Sequence, residues 1–168
     1  MKNLFLVLIA FAVSVTAFSQ SKDVVDIAIS SPDHTTLVAA VKAADLVTTL
    51  KSAGPFTVFA PTNAAFDKLP AGTVTTLLKP ENKAQLAKIL TYHVVAGNLD
   101  AAAVTAAIKA GKGKAVVTTV SGGKLTASLD KDKVMLTDES GKTAYVVVAD
   151  LKGSNGVVHV IDGVVLPK

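Results

Sequence analysis

From Asp23 to about Thr91 the apolar residues recur three and four positions apart, and from Ala115 onward they alternate or run in short β-branched blocks. The first pattern predicts helices and the second strands. Asp23–Ser30 reads as a short amphipathic helix. Ser31-Pro32 then opens a second helix, because proline is tolerated in a first helical turn. Leu37, Val38 and Val41 form its apolar side, and Leu46, Val47 and Leu50 repeat the pattern before Gly54-Pro55 ends it. Phe56 to Phe59 reads as a strand, Pro61-Thr62-Asn63 as a turn, and Ala64–Leu69 as a turn or two of helix. Val74, Leu77 and Leu78 form a further cluster stopped by Pro80. Leu86, Ile89 and Leu90 are the buried side of a helix from Asn82 to Thr91, after which Tyr92–Val95 is expected to be extended. Asp100 caps a helix holding Val104 and Ile108, with Gly111 at its end.

The later blocks predict strands at Ala115–Val120, Leu125–Leu129, Val134–Thr137, Thr143–Ala149, Val157–Ile161 and Val164–Leu166. Ser121-Gly122-Gly123 and Ser140-Gly141 supply turns between them. Helices first and sheet later is an α+β organisation, in which N-terminal helices pack against a mostly antiparallel sheet.

Residues 1–19 follow a different rule. Lys2 precedes an apolar run from Leu4 to Phe18, and the small residues Ala17 and Ser19 stand before Gln20. This is the layout of a secretory signal peptide, which leaves 20–168 as one expected domain. With the signal removed, no stable membrane insertion is expected. The chain has no cysteine, so packing must supply stability even in an oxidising compartment. Its net charge is +4, and all 17 basic residues are lysine. Without arginine the chain lacks the usual donor for bidentate phosphate and base-edge contacts, so nucleic acid is a poor partner. Lys109, Lys112 and Lys114 are the densest basic group, placed to attract an acidic polymer or to act as solvated surface.

Two segments are specific. Thr57-Val58-Phe59-Ala60-Pro61-Thr62-Asn63, followed by Phe66, and Gly156-Val157-Val158-His159-Val160-Ile161-Asp162, followed by Leu166-Pro167, resemble the two signature stretches of the fasciclin (FAS1) family. Tyr92-His93-Val94-Val95 resembles the short Tyr-His region of that family. The resemblance implies a FAS1-like fold and an adhesion or matrix-associated module, secreted, periplasmic or on the cell surface.

The signature residues read mainly as fold maintenance. Pro61 sets the strand exit, Thr62 or Asn63 satisfies amides at a helix start, and His159 uses one ring nitrogen as donor and the other as acceptor inside a central strand. Asp162 and Gly163 read as a turn. Tyr92, His93, Val94 and Val95 are the candidate interaction residues, either presenting contact surface or buried with satisfied polar tips.

Catalytic and cofactor chemistry finds no frame in the chain. There is no Gly-x-Ser-x-Gly elbow, no His-Glu-x-x-His pair and no phosphate loop. No cofactor, metal or enzymatic activity is expected. The partner implied is an unidentified surface or matrix protein or polysaccharide, with weak self-association as a further possibility. The alternatives are a non-enzymatic binder of a small apolar ligand or polymer fragment, or a structural envelope protein.

Overall fold

Asp23 starts the first helix by a reciprocal cap. Its carboxylate accepts from the amides of Val25 (2.9 Å) and Asp26 (2.8 Å), while the Asp26 carboxylate accepts from the Asp23 amide at 3.3 Å. The computed structural model describes residues 21–168, so the expected signal peptide over 1–19 lies outside the described residues.

Helix α1 spans Val24–Ile29 and α2 spans Thr35–Ala43. Ser31-Pro32 does not open α2 directly, since Pro32–His34 forms a separate 3-10 turn. The cap of α2 comes instead from Asn63, far along the chain. Its side-chain oxygen accepts from the Thr36 amide (3.0 Å) and the Thr35 hydroxyl (3.2 Å), and its amide donates to the Pro32 carbonyl at 3.0 Å. Thr62 does the local work expected of this turn, accepting from the Ala65 amide at the start of α4 (Asn63–Asp67). Helix α3 is Val47–Leu50 and α5 is Thr73–Leu77.

Helix α6 runs Lys83–Tyr92, with His93 as its cap, so Tyr92 is helical rather than extended. The reason is the stripe Leu86, Ile89, Leu90 and His93, which keeps helical spacing for one step beyond the apolar residues. Strand β2 is only Val94–Ala96. Asp100 caps α7 (Ala101–Ala110) through the Ala103 amide at 2.8 Å, and Gly111 ends it.

The remaining strands are β1 (Phe56–Pro61), β3 (Lys114–Thr118), β4 (Lys124–Asp130), β5 (Lys133–Thr137), β6 (Thr143–Gly153) and β7 (Gly156–Ile161). Their order is β2-β1-β7-β6-β5-β4-β3. Every pairing is antiparallel except β1 with β7, which runs parallel from Phe56 opposite Gly156 to Pro61 opposite Ile161. Strand β6 outlasts the expected Thr143–Ala149 because it serves both halves of the sheet. Thr143–Tyr145 pair with β5, and Val146–Gly153 pair with β7 through two register shifts, with Asp150 at φ 60°. The outermost strands approach one another where Val95 bridges Thr119 and the Val120 amide donates to the Val94 carbonyl, nearly closing the sheet.

Two apolar clusters result. One, under the helices, holds Leu37, Val41, Phe66, Leu86, Leu90 and Val158; the other, inside the curved sheet, holds Phe59, Tyr92, Ile108, Leu125, Leu136 and Ile161. Strand β7 feeds both, as a central strand must. Val164–Leu166, expected as a last strand, is irregular: it is held by side chains instead of a ladder.

Candidate functional site

The four candidate contact residues are inside the protein. Tyr92 is 0 % exposed, and His93, Val94 and Val95 are all buried. Their side chains meet other parts of the chain, so this region is a clasp between elements and not a free surface. The Tyr92 hydroxyl donates to the Lys124 carbonyl (2.6 Å) and accepts from the Glu139 amide (3.3 Å). His93 Nδ1 faces the Ile89 carbonyl at 2.9 Å, and its Nε2 accepts from the Val165 amide at 3.3 Å. Since an amide can only donate, the proton must sit on Nδ1. Burial pushes the His93 ring down to about 4, partly offset by the Ile89 carbonyl and the nearby Asp138 carboxylate.

Asp138 completes the clasp. One of its oxygens accepts from the Ser140 and Lys142 amides and the other from the Leu166 amide, all at 2.9 Å. Glu139 accepts from the Lys124 amide at 3.0 Å and the Lys168 amide at 3.4 Å, contacts that hold its carboxyl below the ordinary value. Tyr92, His93, Asp138 and Glu139 thus tie α6, β4, the β5–β6 turn and the C-terminal segment together. Asp138→Asn is expected to cost about 2 kcal/mol, because one amide loses a charged acceptor in a buried place. Urea denaturation reads the loss, and faster hydrogen exchange at Leu166 locates it.

The signature stretches have the same character. On β1, Val58 is half-buried, Thr57, Phe59, Ala60 and Pro61 are buried, and Phe66 is buried on α4. The Thr57 hydroxyl donates to the Gly97 carbonyl (2.7 Å) and accepts from the Leu99 amide (2.8 Å). On β7, His159 divides its ring as the sequence predicts: Nε2 donates to the Leu99 carbonyl (2.7 Å), and Nδ1 accepts from the Asp150 amide (3.3 Å). Its ring stacks on Phe59 with centroids 5.7 Å apart. Val160 and Ile161 are buried beside it, and Asp162 accepts from the Tyr145 amide at the turn. Leu166 and Pro167 lie in the clasped C-terminal segment.

Sequence reasoning passes over Asp138 and Asn155. Asn155 accepts from the Val24 amide (3.0 Å) and donates to the Leu50 (2.8 Å) and Ser52 (3.0 Å) carbonyls, joining the β6–β7 turn to the helices. The available signal was position: each stands at the head of a turn, where Asp and Asn side chains bond nearby backbone. Their long-range partners had no such signal.

The apolar interior offers little room. Between α1, α2, α3 and β1 lies a cavity of about 40 Å³ lined by Val25, Leu37, Val41, Val58 and His93 among others. Ligand sites commonly measure several hundred Å³, so the apolar-ligand alternative gains no support from this space. Among the described residues no group of three or more His, Asp or Glu is placed to hold a metal, and no helix is long and apolar enough to cross a membrane.

What remains uncovered is the outer face of the β3–β6 sheet. Alternate residues there point away from the buried Ala115, Leu125, Ala127, Leu136 and Ala144. One row across the strands is Val116, Thr126, Thr137 and Thr143; the next is Lys114, Ser128, Met135 and Tyr145. Val116 is 62 % exposed, and Val147, further along β6, is 51 % exposed.

Comparison with known proteins agrees with this architecture. Residues 32–167 match the model of the fasciclin domain. The chain is 50% identical over 155 residues to Protein sll1483 of Synechocystis sp., covering 92% of this chain and 79% of that one. It is 38% identical over 123 residues to the cell surface glycolipoprotein MPB83 of Mycobacterium bovis, covering 73% of this chain and 48% of the relative. Among solved structures it resembles a FAS1 domain pair from the insect cell adhesion molecule fasciclin I, with TM-score 0.61 and 22% identity over 77% of this chain and 43% of that one. The shared fold, the two buried signature strands and the family match across nearly all the described residues make this chain a member of the fasciclin (FAS1) family, a non-catalytic family of adhesion domains.

Proposed function

We propose that residues 20–168 form one exported adhesion module that holds a surface or matrix partner through the outer face of the β3–β6 sheet. The observation that supports this reading is the contrast in exposure. Tyr92–Val95 are spent on internal packing, whereas on the outer face of the sheet Val116 is exposed and Thr126, Ser128, Met135 and Tyr145 are only half-buried. Cell-surface placement accords with the apolar leader and with the surface-associated relative. A single module offers no multivalency within this stretch, so retention depends on dense display or self-association.

The test is retention of the displayed protein on native envelope or matrix. Exchanging Val116, 62 % exposed, for glutamate is expected to lower retention several-fold at unchanged melting temperature. Full retention by that variant removes the face from the reading. Retention by neither protein favours a structural envelope role.

A further inference from the structure

Asn155-Gly156 is the single Asn-Gly pair in the chain, and it stands at the β6–β7 turn, where the Asn155 side chain ties that turn to the helices. We propose that this pair is a covalent modification site, at which deamidation of Asn155 makes a transient opening between the helices and the sheet permanent. The site is independent of the adhesion face.

The reaction needs neither an enzyme nor a redox partner. The Gly156 nitrogen attacks Cγ of the Asn155 carboxamide. The N–Cγ bond forms, the Cγ–Nδ2 bond breaks, and the proton from the nitrogen leaves with the amide as ammonia. Water then opens the cyclic imide at either carbonyl, leaving aspartate or isoaspartate at 155. Glycine favours the attack because no Cβ shields its nitrogen or restricts its backbone. The other four asparagines precede Leu4, Ala64, Lys83 and Leu99, and lack that advantage.

The fold blocks the first step. The carboxamide is held on the helix side by the Val24 amide at 3.0 Å and by the Leu50 and Ser52 carbonyls at 2.8 and 3.0 Å, so Cγ cannot turn back over the Gly156 nitrogen while those bonds stand. The backbone is fixed as well. The Asn155 carbonyl accepts from the Phe56 amide at 3.0 Å, the Ser154 amide donates to the Lys22 carbonyl at 2.9 Å, and Gly156 pairs with Phe56 on one side and Gly153 on the other. Each side-chain bond lowers the open population about fivefold, so the three together slow the reaction about a hundredfold. The product then fits the fold badly. A carboxylate has no N–H for the Leu50 and Ser52 carbonyls and sets its own oxygens against theirs. Isoaspartate also lengthens the main chain beside Gly156, where even an added Cβ would lie 2.0 Å from the Phe56 carbonyl oxygen. Chemical modification of the opened chain is thus a one-way step.

The experiment incubates the purified protein at mildly alkaline pH, in buffer and in denaturing urea. It reads the amide-to-acid mass gain on the peptide holding Asn155, and isoaspartate by enzymatic methylation. Deamidation about a hundredfold slower in buffer than in urea is expected, with Asn155 the fastest asparagine in urea. Val25→Ala, which loosens α1 at a buried position without touching the reacting atoms, should speed the reaction in buffer several-fold. Asn155→Asp, which carries the product carboxylate from the start, should unfold at a clearly lower urea concentration or fail to fold. Equal rates in buffer and in urea overturn the proposal, because the native turn would then give no protection. A rate in buffer unmoved by Val25→Ala overturns it by uncoupling the chemistry from the helices. An Asn155→Asp protein as stable as the parent overturns it by showing that the product refolds.

Discussion

Gly156→Ala is expected to be among the most destabilising single-methyl additions in this protein, costing about 4 kcal/mol through overpacking and a broken strand pair. A Cβ at Gly156 would sit 2.0 Å from the Phe56 carbonyl oxygen and 2.8 Å from the Phe56 nitrogen. These are backbone atoms of the first rung of the β1–β7 pair, so no side chain can turn aside to make room. The rung must open, and with it the register that aligns Phe59 with His159. Gly97→Ala is the control. It has φ 112° and nothing within 4 Å of the added atom, so only left-handed backbone strain of about 1 kcal/mol is expected. Urea denaturation of both variants checks the pair. A Gly156→Ala protein as stable as the Gly97→Ala one would show that β1 and β7 separate there at little cost.

Acid is expected to weaken the fold well above the range in which carboxylates titrate. His93 is pushed down to about 4 by burial, against an ordinary histidine value of 6.5. Between those values the unfolded chain binds the proton and the folded chain does not, so stability falls as pH falls. The contribution is complete above pH 6.5 and is lost on the way down to about pH 4. It amounts to about 2 kcal/mol lost by pH 5 and about 3 kcal/mol by pH 4. Protonating Nε2 would set an N–H against the Val165 N–H, which explains the resistance geometrically. Burial shifts His34 in the same direction, adding to the slope. Glu139, held below its ordinary 4.5 by the Lys124 and Lys168 amides, acts in a lower window. His93→Gln removes the titration and should flatten denaturation midpoints between pH 7 and pH 5. An unchanged slope in that variant would assign the acid sensitivity elsewhere.

Much of the fold was legible because its devices are local. Caps at Asp23, Thr62 and Asp100 act within three residues, and turns at Ser121-Gly122-Gly123 and Ser140-Gly141 need only glycine and short polar side chains. Where the reading of elements failed, a distant partner or a polar residue on an apolar stripe decided. Asn63 caps α2 across the chain, leaving Ser31-Pro32 to a separate turn. His93 extends a helical stripe although it is polar, and Val164–Leu166 leaves the ladder because Asp138 and His93 take its amides.

The sequence by itself determined the helix-then-sheet order, the two signature strands, and the donor-and-acceptor role of His159. These follow from spacing, β-branched content and the absence of any outlet for a polar ring in an apolar strand. Only the tertiary structure decided which polar residues are spent indoors. Tyr92 and His93 carry the same side chains whether they face a partner or the Lys124 carbonyl and the Val165 amide, and exposure depends on what folds over them.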